Sequence, residues 1–456
     1  MKFHTANTLA LAVRRHLSTA STVGSLVMCS VALVACGGGD GSSTVRVGNG
    51  PTAGGFSAGT VTGKGSIIVN GVRFDDRGAE IVGDDDSRHS SGDDIKVGMQ
   101  VEVEFDDSSC VPAAAPVPAS GASAATGGLV TTASTSCKAH RISFGDNSLL
   151  GPVSGFTAAA GTPGSFTVLG QKIITTATTS VSLDGKATAL GDGVIVEVYG
   201  SFDSATGITT ATRIEAKAAD LASLPAGKFF RLRGLLDVTA GSVGGVKVDL
   251  SGVDTAGLDG QIVRVRLAPK ASEPFVVSKI KSTRRHLDGH HGSRGELEGV
   301  IADWLYAADS MSATFTINGI KVSVSVSDDP AASLTAVLLA DLDAALGATP
   351  AAPVRVEVHG AVDANGVFVV SRLELHDESD DSAFELHGAI SAVDAAARSF
   401  VLRGETVLVT DTTKFRQSSH GSLSEAGLAV GLTVEVEGRR SADGTAIVAT
   451  KVKLDD

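Results

Sequence analysis

A short pattern recurs along this chain, and it limits the possible folds more than any single residue does. Val194-Ile195-Val196-Glu197-Val198-Tyr199-Gly200 leads through Asp203 and Gly207 to Ala211-Thr212-Arg213-Ile214-Glu215-Ala216. Val354-Arg355-Val356-Glu357-Val358-His359-Gly360 leads through Asp363, Asn365 and Gly366 to Ser371-Arg372-Leu373-Glu374-Leu375. Val434-Glu435-Val436-Glu437-Gly438 leads through Asp443-Gly444 to Ala449-Thr450-Lys451-Val452-Lys453-Leu454. Each is an alternating apolar and charged run, a turn rich in Asp, Asn or Gly, and a second alternating run. That is the pattern of a β-hairpin with one buried face. Self-similarity of this kind marks a repeat architecture.

The repeats share a beginning and a middle as well. Phe384-Glu385-Leu386-His387-Gly388-Ala389-Ile390 parallels Gly295-Glu296-Leu297-Glu298-Gly299-Val300-Ile301 and Phe230-Arg231-Leu232-Arg233-Gly234-Leu235-Leu236. A middle element follows, as in Phe315-Thr316-Ile317-Asn318-Gly319-Ile320-Lys321-Val322 and Ile67-Ile68-Val69-Asn70-Gly71-Val72-Arg73-Phe74. Its central Gly marks a turn or sharp bend between two short strands. The expected fold class is therefore all-β: tandem small barrels of five to six strands, over residues 57–146, 150–218, 229–284, 295–377 and 384–456. Closure into a barrel removes exposed strand edges. The third unit is the most degenerate, because its late hairpin is hard to follow beyond Ile262-Val263-Arg264-Val265-Arg266-Leu267.

One helix is expected, in the fourth unit. Asp329 can cap it, Pro330 suits its first position, and Gly347 can end it. Leu334, Leu338, Leu342 and Leu346 fall on one face. An oligonucleotide/oligosaccharide-binding barrel places a helix at this point, between its third and fourth strands.

Gly65-Ser66-Ile67-Ile68-Val69-Asn70-Gly71-Val72-Arg73-Phe74, followed by Val97-Gly98-Met99-Gln100-Val101-Glu102-Val103, resembles a family of uncharacterised domains found in tandem in lipoproteins of Gram-negative bacteria. The resemblance implies a barrel-like β-module and carries no catalytic residues.

The N-terminus supplies an address. Lys2, Arg14 and Arg15 precede a run from Leu17 to Ala35 without charge. That is the plan of a signal peptide, expected over residues 1–35, with an uncleaved membrane anchor as the alternative. Leu33-Val34-Ala35-Cys36-Gly37 resembles the lipobox of a bacterial lipoprotein. The resemblance implies cleavage before Cys36, acylation of its thiol and a flexible tether over residues 36–56. Gly rather than Asp at position 37 implies sorting to the outer membrane, facing the periplasm or the cell surface.

Export bears on the remaining cysteines. Cys110 and Cys137 flank an excursion rich in Pro, Ala, Ser and Gly, between the alternating run Val101–Phe105 and its return Ala139–Phe144. A disulfide would close this loop of about 27 residues and stabilise the fold by roughly 3–4 kcal/mol in the chain-entropy model. Two free thiols for metal or redox work are the alternative.

The formal charge of -13 opposes binding to phosphate backbones, so no nucleic-acid partner is expected. One Trp and two Tyr leave few stacking faces for sugars, although 16 Phe are present. His286, Asp288, His290 and His291, in a polar linker over residues 285–294, could ligate zinc or copper, or could form a solvated connection. Asp84-Asp85-Asp86, Asp93-Asp94 and Asp377-Glu378-Ser379-Asp380-Asp381 lack the calcium-loop pattern and read as turns and linkers. No Gly-x-Ser-x-Gly elbow, HExxH or phosphate loop occurs. The expected function is a lipid-anchored, non-enzymatic scaffold or interaction protein that needs no cofactor. Its expected partners are the membrane, through the anchor, and an envelope protein or glycan. A barrel face that binds a glycan, peptide or metal ion is the alternative, and an enzyme with a site between units is the third.

Overall fold

Alternation along each repeat produces short strands, and in every unit five of them close on themselves. The computed structural model describes residues 54–83, 88–89, 92–112, 135–145, 148–157, 164–203, 206–282, 292–309, 311–326, 336–347, 353–376, 384–416 and 423–454. Barrel 1 uses strands Gly54–Lys64, Ile67–Val69, Val72–Asp75, Gln100–Asp106 and Thr135–Phe144. Barrel 2 uses Leu149–Thr157, Ser165–Val168, Gln171–Ser182, Ile195–Asp203 and Ile208–Ala218. Barrel 3 uses Phe230–Asp237, Ser242–Val243, Val246–Asp249, Ile262–Leu267 and Phe275–Ser282. Barrel 4 uses Arg294–Ala307, Ser312–Ile317, Ile320–Ser325, Arg355–Val362 and Phe368–Leu375. Barrel 5 uses Phe384–Asp394, Ser399–Leu402, Glu405–Leu408, Thr433–Arg440 and Ile447–Leu454.

The circuit is the same in all five. In barrel 4 the first strand pairs antiparallel with the second and the second with the third. The third runs parallel to the fifth, the fifth pairs with the fourth, and the fourth returns to the first. Barrels 1, 2, 3 and 5 repeat each step, including the parallel pairing of strands three and five. This is the Greek-key connectivity of the oligonucleotide/oligosaccharide-binding barrel. The helix Ala336–Leu346 lies between the third and fourth strands of barrel 4, with Leu338, Leu339 and Leu342 buried against its core. Gly347 follows it, whereas Asp329, Pro330 and Leu334 lie outside the described residues.

Each first strand serves two half-sheets. In barrel 4, residues Arg294 to Val300 pair with the fourth strand and Ile301 to Ala307 with the second. The change falls just after Gly299, opposite Val356. Gly59, Gly151, Gly234 and Gly388 hold the same register, opposite Val101, Val196, Val263 and Val434. Over this glycine folds the tip of the second hairpin. It is a two-residue turn with both φ positive, at Asn70-Gly71, Leu169-Gly170, Gly244-Gly245, Asn318-Gly319 and Arg403-Gly404. Such a turn matches the right-handed twist of its strands. The approach is too close for a side chain: a Cβ at Gly234 would sit 2.5 Å from Gly244 Cα, and one at Gly151 would sit 2.6 Å from Leu169 Cγ.

The late hairpin also repeats a detail. Its register shifts by a residue at Tyr199/Gly200, His359/Gly360 and Glu437/Gly438, and again at Glu104/Phe105 and Arg266/Leu267. Barrel 3 therefore has its late hairpin, completed by Phe275–Ser282. Its return strand was hard to follow because the connection after Leu267 carries no Asp-Gly or Asn-Gly turn. In barrel 1 a disulfide joins Cys110, just past the fourth strand, to Cys137 on the fifth.

The barrels exchange core residues. Barrels 2 and 3 share one apolar cluster. Phe56 of barrel 1 enters the core of barrel 4, Val97 of the same unit enters that of barrel 5, and Tyr199 of barrel 2 enters that of barrel 1. Burying a side chain as large as Phe56 contributes about 1.5–3 kcal/mol. First strands also meet edge to edge. That of barrel 1 runs parallel to the first strands of barrels 4 and 5, and that of barrel 3 touches barrel 2 at Arg231 and Leu150. Gly234→Ala is expected to lower stability by about 1–3 kcal/mol, because the clash is with backbone that cannot step aside. An unchanged midpoint in chemical denaturation would remove the close-packing account.

Candidate functional site

Charged residues at the outward positions of these strands would face water in an isolated barrel. Here the neighbouring barrel covers many of them, and opposite signs meet. Arg231, on the first strand of barrel 3, pairs with Glu197 of barrel 2 at 2.7 Å, and Ser148 Oγ donates to the same carboxylate at 3.0 Å. Lys217 bridges Glu197 at 2.8 Å and Glu215 at 2.6 Å. Glu215 accepts from Arg213 Nε at 2.6 Å, and Arg213 Nη1 reaches Glu405 of barrel 5 at 3.0 Å. Arg440 completes the chain on Glu405 at 3.3 Å. Seven charges thus alternate across barrels 3, 2 and 5. The side chains of Arg213 and Glu405 are only 4% and 6% exposed.

The pairing dominates the local electrostatics. Burial alone would raise the Glu197 carboxyl, but Lys217 and Arg231 override it and hold the group well below the usual carboxylate range. Burial opposes the charge on Lys217 and Arg213 too, yet their carboxylate partners raise both. Arg440 goes the other way, lowered by burial. Arg213 Nη1 also donates to the carbonyl of Val97 at 2.9 Å, and Thr212 Oγ1 to that of Gly98 at 2.7 Å, so barrel 1 joins the same seam.

Two further seams are polar. Between barrels 1 and 4, Glu298 accepts from the backbone N–H of Thr60 at 3.0 Å and pairs with Arg355, whose Nη2 donates to Thr60 Oγ1 at 2.9 Å. Where barrels 2, 3 and 4 meet, Arg233 donates to the carbonyl of Asn318 and lies over the Phe202 ring at 5.5 Å. Its Nε and Nη1 have no hydrogen-bond partner among the described residues, and burial pushes this guanidinium down to about 10.

One cluster has ligand chemistry. On barrel 4, His359 Nδ1 lies 3.1 Å from Glu296 Oε1, and Nε2 lies 3.0 Å from Glu357 Oε1. The three side chains offer donor atoms within 4.8 Å of one another. Burial would lower the imidazole, but the two carboxylates push it up to about 9. A separate hollow of about 400 Å³ between barrels 1 and 5 is lined by Lys96, Ala389, Ser391, Arg403 and Gly404. Ser391 donates its hydroxyl to the Val401 carbonyl at 3.2 Å. Trp304 rests on Phe315 and donates to Asp343 of the helix at 3.0 Å.

Of the residues singled out from the sequence, Cys110 and Cys137 are joined. Cys36, His286, Asp288, His290 and His291 lie outside the described residues. The seams and the His359 cluster were not anticipated. Their one sequence signal is the complementary sign of alternate residues on strands one, four and five, such as Arg231 and Arg233 against Glu197.

Two segments, residues 151–215 and 387–453, match the model of a Domain of unknown function (DUF5666). They fall on barrels 2 and 5, so the chain carries tandem copies of an uncharacterised all-β module. No curated protein matches the chain.

Arg213→Ala leaves Glu215 with Lys217 alone and Glu405 with Arg440 alone, both still buried, and is expected to cost about 3–5 kcal/mol. Arg398→Ala, at an exposed pair with Asp411 and Glu425, is expected to leave the denaturation midpoint unchanged. Equal effects in the two variants would deny the seam its buried character. Glu197 binds fewer protons folded than unfolded, so its contribution is complete above its ordinary value of 4.5 and is lost as pH falls below it. Melting curves should show a steep acid limb that Glu197→Gln flattens while lowering the neutral plateau. Parallel limbs would refute the assignment.

Proposed function

We propose that this chain is a lipid-anchored protein of the cell envelope, whose barrels dock into one block that serves as a non-enzymatic scaffold or interaction protein. The buried ion-pair chain from Arg231 to Arg440 carries the reading, because it ties three barrels into one body rather than leaving them strung on linkers. Buried charges of this kind favour a unique arrangement of partners more than they add stability. A block held in this way presents a fixed outer surface to an envelope protein or glycan. The Cys110–Cys137 bond suits an oxidising compartment outside the cytoplasm. Cys36, after an uncharged run and before three glycines, supplies the expected attachment to the outer membrane. Two acyl chains are what durable anchoring takes.

Radiolabelled palmitate, fed to a Gram-negative host that expresses the full chain, should mark the wild type and leave Cys36→Ala unmarked. An unmarked wild type would refute the anchor. Crosslinking of the full chain in whole envelopes, followed by affinity capture, should recover the same partner from the wild type and from an unanchored variant. Recovery of no partner would refute the scaffold role.

A further inference from the structure

The outward face of barrel 4 lines up three carboxylates in one rung. Register places Glu298, Glu357 and Glu374 directly opposite one another on the first, fourth and fifth strands. Like charges facing each other across strands are destabilising. Two of the three have cations: Glu298 has Arg355, and Glu374 has Arg372. Glu357 faces His359 on its own strand. Burial and the nearby Glu296 and Glu298 raise its carboxyl, while His359 lowers it. His376 stands 4.0 Å from Glu298 on the far side of this rung, and Ser57 Oγ of barrel 1 donates to Glu296 at 3.5 Å.

The contact between Glu357 and His359 is close but poorly aligned. Nε2 is 3.0 Å from the carboxylate oxygen, yet it is buried and has no aligned partner among the described residues. Glu296 meets the ring at Nδ1 and Glu357 at Nε2, so an ion held by one of these nitrogens draws the other carboxylate round to the same edge. Sequence separation hides this grouping, since Glu296 belongs to the first strand and the other two to the fourth.

We propose that Glu296, Glu357 and His359 form a binding site for one divalent transition-metal ion, with one imidazole nitrogen and one oxygen from each carboxylate as ligands. Nitrogen with carboxylate oxygen is the donor set of zinc and its first-row neighbours, and three protein ligands leave one position open. The ligand atoms already lie within 4.8 Å of one another, and two flexible Glu side chains can draw them in to the roughly 3–3.6 Å spacing that bonds of about 2.0–2.2 Å to one ion require. All three side chains are partly exposed, which gives the ion a way in. The charge balance also improves, because a dication offsets the carboxylate that the rung leaves without an arginine.

The probe is zinc, titrated calorimetrically into the purified full chain in chelator-treated buffer. Residues 286–291 carry three further histidines, so the same titration is run on a His286→Ala/His290→Ala/His291→Ala variant. One equivalent of zinc should bind to that variant. The affinity should drop at least tenfold when Glu357→Gln or His359→Asn is added, with the melting curve in chelator confirming that each variant is folded. Because zinc must displace a proton from the imidazole, affinity should fall as the pH is lowered. Absence of zinc binding in the linker variant, or equal affinity after His359→Asn, would overturn the site and leave His359 as a cation shared by two carboxylates. Neither outcome bears on the palmitate test of the anchor.

Discussion

Everything in this molecule rests on how the first strand of each barrel bends. At Gly59, Gly151, Gly234, Gly299 and Gly388 the strand leaves one half-sheet and joins the other, and the hairpin tip closes over the place where no Cβ stands. The bend closes the barrel. It also leaves the outer edge of the first half of the strand free of its own barrel, and there the neighbours dock, as Phe56 to Ala58 do along Gly295 to Leu297. One steric allowance thus governs both closure and assembly.

Charge then selects among the possible dockings. Apolar transfers such as Phe56, Val97 and Tyr199 supply most of the driving force, because burial of apolar surface is large and non-directional. Buried ion pairs add direction, since a misplaced carboxylate such as Glu197 without Arg231 and Lys217 would be a desolvated charge with no counterion. The unsatisfied nitrogens of Arg233 show that the matching is not complete everywhere.

The repeat, its strands and the disulfide were legible because they depend on local signals: period-two alternation, Asn-Gly turns, and cysteines at the base of one loop. The helix was legible from its leucines. The return strand of barrel 3 was not, since its turn residues are atypical. The seams were hidden for a different reason. Glu197 sits at an outward position in Val196-Glu197-Val198, and alternation assigns such a position to water. Only a second barrel on top of it makes it interior, and which barrel arrives depends on register across hundreds of residues. His359 and Glu357 were visible as neighbours in sequence, but Glu296 joins them only through the pairing of strands one and four.

Chain order and spatial order do not coincide here. The N-terminal barrel rests against the fourth and fifth, and it lends Phe56 and Val97 to cores whose other members are made last. A polypeptide that emerges N-terminus first therefore closes barrel 1 before the barrels that cover its edge exist. It must hold a half-covered apolar edge until the final strands arrive, a long-range closure of the kind that folds slowly and exposes sticky surface meanwhile. Damage to barrel 4 or 5 is therefore felt in barrel 1, whose edge they cover.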